Sequence, residues 1–115
     1  MRRLFVTLLV SLVPIQTWAD DVPPSFESGN AIYKYLTSKD ERDKAFAAGY
    51  IIGVADAGSR TSIDGWSFCV PEKAPVDQVV DVVKVWLEIY AQNRHYSARS
   101  LVPRALEEAF PCPKK

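Results

Sequence analysis

The sequence predicts an all-α fold: a small four-helix domain with one disulfide, preceded by a cleaved signal peptide. Three observations lead there. Four stretches space their apolar residues at helical intervals. Two cysteines, Cys69 and Cys112, are the whole complement of the chain. Residues 1–19 have the three-part layout of an export signal.

In that signal, Arg2 and Arg3 form a positive n-region and residues 4–13 an apolar run too short to span a bilayer. Pro14 breaks any helix there. Thr17-Trp18-Ala19 ends in a small residue suited to cleavage before Asp20. The layout suits a Gram-negative bacterium, so the expected compartment is the periplasm. No later stretch is long and apolar enough for a second span, and none of the mature chain is expected in a membrane. Residues 20–115 are then one domain with a small core. Removing Arg2 and Arg3 leaves the basic side chains two short of the 14 acidic ones. The remaining lysines and arginines are dispersed, so nothing drives nucleic-acid binding. In an oxidising compartment the two cysteines pair. The closed loop of about 43 residues contributes roughly 4 kcal/mol by chain entropy. Two cysteines and the single histidine, His95, are too few for a closed zinc site, and no Cys-x-x-Cys spacing occurs. No metal or cofactor is expected.

The first helix follows Ser28-Gly29-Asn30, with Ile32, Tyr35 and Leu36 at i, i+3 and i+4. The second is expected over residues 40–57, where Asp40, Glu41 and Asp43 suit its positive end. Phe46, Tyr50, Ile51 and Val54 make its apolar stripe, and Gly58 its stop. Gly49 and Gly53 cost about 1 kcal/mol each in a helix interior, which argues for close approach by another helix. Residues 59–71 read as a loop with a turn at Asp64-Gly65 and an aromatic, Trp66, near the tip. Such long loops are often functional. The third helix starts near Pro75, placed at its first helical position. It is apolar on most of its circumference, so it is buried nearly all round or meets another subunit on one flank. Residues 91–96 are a polar connector. Ser97 is a candidate N-cap for the last helix, whose core face holds Ala98, Leu101, Ala105, Leu106, Ala109 and Phe110. Pro103 bends that helix if it starts after Ser97 and is harmless if it starts after Ser100. Pro111-Cys112-Pro113 ends it, and Cys112 can reach back to Cys69 just before the third helix.

Several segments form one ordered series. They are Phe68-Cys69-Val70-Pro71, Val76-Asp77-Gln78-Val79-Val80-Asp81-Val82-Val83, Arg94-His95, Ser97-Ala98-Arg99-Ser100-Leu101-Val102 and Ala105-Leu106-Glu107-Glu108-Ala109-Phe110-Pro111-Cys112. Gly29-Asn30 and Gly49-Tyr50-Ile51-Ile52-Gly53-Val54 precede them. The series resembles the Rap/Tai immunity proteins, periplasmic inhibitors of type VI secretion amidase effectors. The resemblance covers nearly all of the mature chain. It implies an all-helical disulfide-bonded domain, often a homodimer, that binds a secreted peptidoglycan amidase and blocks its cleft without doing chemistry. Family members commonly carry two more cysteines, at positions matching the neighbourhood of Leu36 and Ala47 here. An apolar pair can substitute for that bridge.

Catalysis is not expected. A Cys-His nucleophile needs a free cysteine. Ser97 and Ser100 lie near His95 in sequence but lack a glycine-rich elbow. Asp77 and Asp81, one turn apart, read as a solvated face. Two segments are candidates for partner contact. One is Asn93, Arg94, His95 and Tyr96, in the connector whose family counterpart can reach into the amidase cleft. The other is Asp64 with Trp66, where Trp66 is either an interface anchor or a cover for the core. Val82, Trp86 and Ile89 on the second apolar face of the third helix are candidates for a dimer interface. The rival reading is a small helical periplasmic chaperone of the acid-stress type, which would need opening in acid.

Overall fold

The computed structural model describes residues 26–114, so the expected signal at 1–19 lies outside the described residues. Four α-helices follow: α1 (Gly29–Leu36), α2 (Glu41–Gly58), α3 (Val76–Ile89) and α4 (Ala98–Ala109). Between α2 and α3 the chain forms an antiparallel ribbon of β1 (Ser62–Ile63) and β2 (Trp66–Ser67). The all-α expectation holds for the body of the domain and is corrected here. Asp64 and Gly65 both take positive φ, 53° and 83°, a conformation whose twist suits two paired strands. Ile63 therefore faces Trp66 and Ser62 faces Ser67, where sequence reading placed only a loop.

Helix starts follow local chemistry. Ser28 Oγ accepts the Ala31 N–H at 3.1 Å, Asp40 Oδ1 that of Arg42 at 2.9 Å, and Ser97 Oγ that of Arg99 at 3.2 Å. Each such cap is worth about 1 kcal/mol. Pro75 sits one place earlier than expected, as the cap of α3, with its carbonyl accepting the Val79 N–H at 3.2 Å. Pro103 lies within α4 and is buried, so α4 begins after Ser97 and runs on with one backbone donor missing.

The core joins Ile32 and Leu36 of α1, Ala47, Ile51 and Ala55 of α2, Phe68, four residues of α3 and five of α4. On α2 the expected stripe holds at Ile51, with Tyr50 and Val54 packed partly against the core, and is corrected at Phe46. Ala47, Ile51 and Ala55 face inward at intervals of four, whereas Phe46 is 52% exposed. The residues that let helices close on α2 are its alanines. Gly49 and Gly53 are exposed, and a Cβ on either would meet nothing within 4 Å; the expected helix contact there is absent. The close approaches fall at Gly58, where a Cβ would strike Ile63 and Phe68, and at Gly29, where it would lie 2.5 Å from Leu101 Cδ1 and 2.9 Å from the Arg94 carbonyl. Leu36 and Ala47, standing near the family's second cysteine pair, are both core residues.

α3 packs on α1, α2 and α4, yet it is not buried all round. Val79, Val83, Trp86 and Leu87 are buried, while Val76, Val85 and Ile89 are exposed. Its three neighbours cover one flank and leave the other to solvent. Cys69 and Cys112 are bonded across a sequence separation of 43. Beside them the Cys69 N–H donates to the Phe110 carbonyl at 2.8 Å. The end of α4 is thus tied, covalently and through the main chain, to the strand leaving the ribbon.

Candidate partner-binding surface

The connector between α3 and α4 opens with a 3₁₀ turn, Ala91–Asn93. Its carbonyls meet the start of α1. The Gly29 N–H donates to the Tyr96 carbonyl at 2.9 Å and the Asn30 N–H to the Arg94 carbonyl at 2.6 Å. The Ala98 N–H donates to the Glu27 carbonyl at 2.9 Å. The first N–H groups of a helix have no partner within it, so the connector supplies what α1 needs. Close passage of the two backbones requires Gly29 to lack a side chain.

The four contact residues expected in this turn divide. Arg94 folds inward, its guanidinium 4.1 Å from the centroid of the Tyr33 ring, and its buried Nε has no hydrogen-bond partner. Asn93 is half-buried. His95 and Tyr96 are exposed, with ring centroids 4.1 Å apart and planes 36° off parallel. The projecting pair is therefore His95 and Tyr96, and Arg94 props the turn from beneath.

The ribbon is held by side chains. Ser100 Oγ donates to Asp64 Oδ2. The Ser67 N–H donates to Glu107 Oε2 at 2.7 Å. The Arg104 guanidinium lies 5.3 Å from the Trp66 ring and 5.6 Å from that of Trp86. Ser100, Arg104 and Glu107 fall at i, i+4 and i+7, on one face of α4. Asp64 and the half-buried Trp66 are thus engaged within the chain. Sequence reading did not single out Arg104, Glu107 or Glu108, although their spacing on the polar side of α4 is a visible stripe.

The three residues expected at a dimer interface also separate. Trp86 is only 5% exposed, and its Nε1 donates to Glu108 Oε2 at 2.6 Å. Tyr90 Oη donates to the other oxygen of Glu108 at 3.2 Å. Val82 is half-buried and Ile89 exposed. With Val85, Ala105 and Ala109 they line an open groove of 540 Å³ between α3 and α4.

The two serines near His95 are taken by structural bonds, Ser97 to the α4 cap and Ser100 to Asp64. Among the described residues no three His, Cys, Asp or Glu side chains converge as a metal site would require. One carboxyl stands out electrostatically. Asp40 is held below the usual carboxylate range by the Arg42 side chain, then by the Arg42 N–H. It caps α2 and belongs to none of these surfaces.

Set against known proteins, residues 28–112 match the family model of the Rap1a immunity proteins. The match runs from the cap of α1 to the second cysteine. No curated protein sequence matches the chain.

Proposed function

The chain belongs to the Rap1a immunity protein family, and from that premise we propose that it disarms a peptidoglycan amidase delivered by a type VI secretion system. It acts in the periplasm, by binding, and performs no reaction of its own. The 93–96 turn enters the enzyme's cleft, led by His95 and Tyr96, and the rest of the domain holds it there.

The observation that carries this reading is the way the turn is fixed. Two main-chain hydrogen bonds clamp it to the start of α1, and a third ties the first residue of α4 to Glu27, while the turn's two aromatic side chains stay exposed. A binding element ordered before it meets its target spends little free energy on ordering. Tyrosine is among the residues most often found to dominate an interface. Imidazole can donate through one nitrogen and accept through the other, which suits a polar cleft. Asp64 and Trp66 serve this reading indirectly, by keeping α4 and the end of the turn in place.

Co-purification with any amidase encoded beside this gene tests the proposal. The native chain should bind it and abolish its cleavage of peptidoglycan. A chain carrying both His95→Ala and Tyr96→Ala should keep its helical circular dichroism and lose protection. Undiminished inhibition by that double variant would sink the role of the turn. Failure of the native chain to bind any neighbouring amidase would sink the target.

A further inference from the structure

We propose that Tyr33 is a positioning residue for partner binding: its ring holds Arg94 beneath the 93–96 turn, so that the face offered outward is the His95–Tyr96 pair without a cation. The inference rests on the reading of that turn as the presenting element.

Arg94 is an ill-suited residue for the place it occupies. A guanidinium carries N–H donors and no acceptor, and such a side chain normally stays in water or pairs with a carboxylate. Here it is half-buried, and its buried Nε has no hydrogen-bond partner. The ion pairs of the described residues form elsewhere, at Asp40, Glu41 and Glu72. A buried donor without a partner bears the full cost of leaving water. What holds the group inward is the Tyr33 ring, with Arg94 Cζ 4.1 Å from its centroid. The face of an aromatic ring is negative and attracts a guanidinium, more strongly where water is excluded.

The ring is itself fixed. Tyr33 packs partly against the core, and its Oη donates to Glu88 Oε1 of α3 at 3.4 Å. Tyr33 stands one helical turn after Gly29, on the same face of α1. That face meets Arg94 twice. At Gly29 a Cβ would lie 3.1 Å from Arg94 Cα, and at Tyr33 the ring lies under the guanidinium. The main-chain clamp therefore sets where the turn lies, and Tyr33 sets which of its side chains face out. Without the ring, Arg94 regains water on its donors by turning outward, beside His95. A long cation there crowds the aromatic pair, and it must be ordered and desolvated before a partner can close on the turn. That cost is what the ring removes.

The Arg94 Nε–H resonance reads the claim without any partner. In the native chain the Tyr33 ring current should shift it upfield; Tyr33→Phe should keep that shift and Tyr33→Leu should abolish it. Calorimetry with a neighbouring amidase that the native chain binds reads the consequence. Tyr33→Phe should bind within about twofold of the native chain and Tyr33→Leu about tenfold more weakly. Adding Arg94→Met to Tyr33→Leu should restore most of that loss, because the released cation is gone, while the urea midpoints of the two variants stay alike. A merely structural role would move affinity and stability together. Arg94→Lys keeps the charge but cannot stack as a plane; it should weaken binding in the same way and serves where Tyr33→Leu fails to fold. An Arg94 resonance indifferent to Tyr33→Leu overturns the proposal, as does undiminished affinity of Tyr33→Leu or Arg94→Lys, or a loss that Arg94→Met does not restore. Arg94→Met alone abolishing binding overturns it too, by making Arg94 a direct contact. The two failures are distinguishable: a native chain that binds no amidase sinks the target, whereas an unmoved resonance sinks the positioning role even where the native chain binds.

Discussion

The ribbon at 62–67 and the turn at 91–96 both abut α4, yet they are anchored by opposite means. The ribbon is held by side chains: Asp64 by Ser100, Trp66 by Arg104, and the Ser67 N–H by Glu107. The turn is held by its main chain against α1. A segment that spends its side chains on anchoring has few left to offer a partner. One that anchors through backbone carbonyls can present its side chains without losing its shape. The same fold thus contains a brace and a presenter. Composition alone would not distinguish them, since each carries aromatic and charged residues.

The largest way to break the comparison is to cut the covalent tie at the neck of the ribbon. Replacing Cys69 and Cys112 with alanine should lower stability by about 4 kcal/mol, the chain-entropy value for a loop of this length, read by urea denaturation. Amide exchange should rise first around 67–69, next to the lost bond, and later at 29 and 30, where the turn is clamped. Simultaneous loosening of both would mean that the two anchors are not independent.

Gly29→Ala attacks the other anchor. The new Cβ meets the Arg94 carbonyl, a main-chain atom that cannot swing away. A cost of about 2 kcal/mol is expected for such overpacking, with faster exchange at the amides of 29, 30 and 98 and none of that change at 67. Tyr96→Ala sharpens the distinction by leaving both anchors intact. Stability should hold within about 0.5 kcal/mol, while effector affinity falls by roughly 2 kcal/mol if Tyr96 is a dominant contact. Arg104→Ala is the counterpart on the brace. It removes a cation packed against two tryptophans and should cost about 1 kcal/mol of stability, with a change in tryptophan emission and little direct change in affinity.

The helices were legible because their starts are written in single residues. Ser97 caps as expected, Ser28 and Asp40, read only as lying at helix starts, turn out to be caps too, and Pro75 marks α3 to within one place. The disulfide was legible because two cysteines in a chain expected to be exported should pair. The inward face of α2 was not legible. Apolar residues stand all around that helix, so spacing could not show that Ala47 and Ala55 join Ile51 in the core while Phe46 is exposed. Gly49 and Gly53 misled for a related reason: a helix glycine has a cost that is visible in sequence, but whether anything approaches it is a tertiary fact. The connector was identified as a candidate from its side chains and its family resemblance. The clamp that makes it rigid was invisible, because main-chain hydrogen bonds between α1 and a distant turn leave no trace in residue type beyond one tight glycine.

The smallest effect comes from acid, and it tests whether α2 stands apart from both anchors. The Arg42 side chain, and after it the Arg42 N–H, hold the Asp40 carboxyl below its ordinary value in the folded chain. A depressed folded value means that the charged form is favoured by folding. The contribution is therefore present above the unfolded range near pH 4 and is lost as pH falls through the lower folded value. Asp40 is at the surface, so solvent screens the pair and the loss is slight. It should appear as faster exchange and a shifted resonance of the Arg42 amide as pH falls below about 4, the ordinary carboxylate value. Asp40→Asn keeps a competent cap but carries no charge to lose, so that pH dependence should vanish while the amides at 29, 30 and 67 behave as before. If the variant instead altered exchange at 29 or 67, the start of α2 would be coupled to the turn or the ribbon, and the division of labour between the two anchors would have to include it.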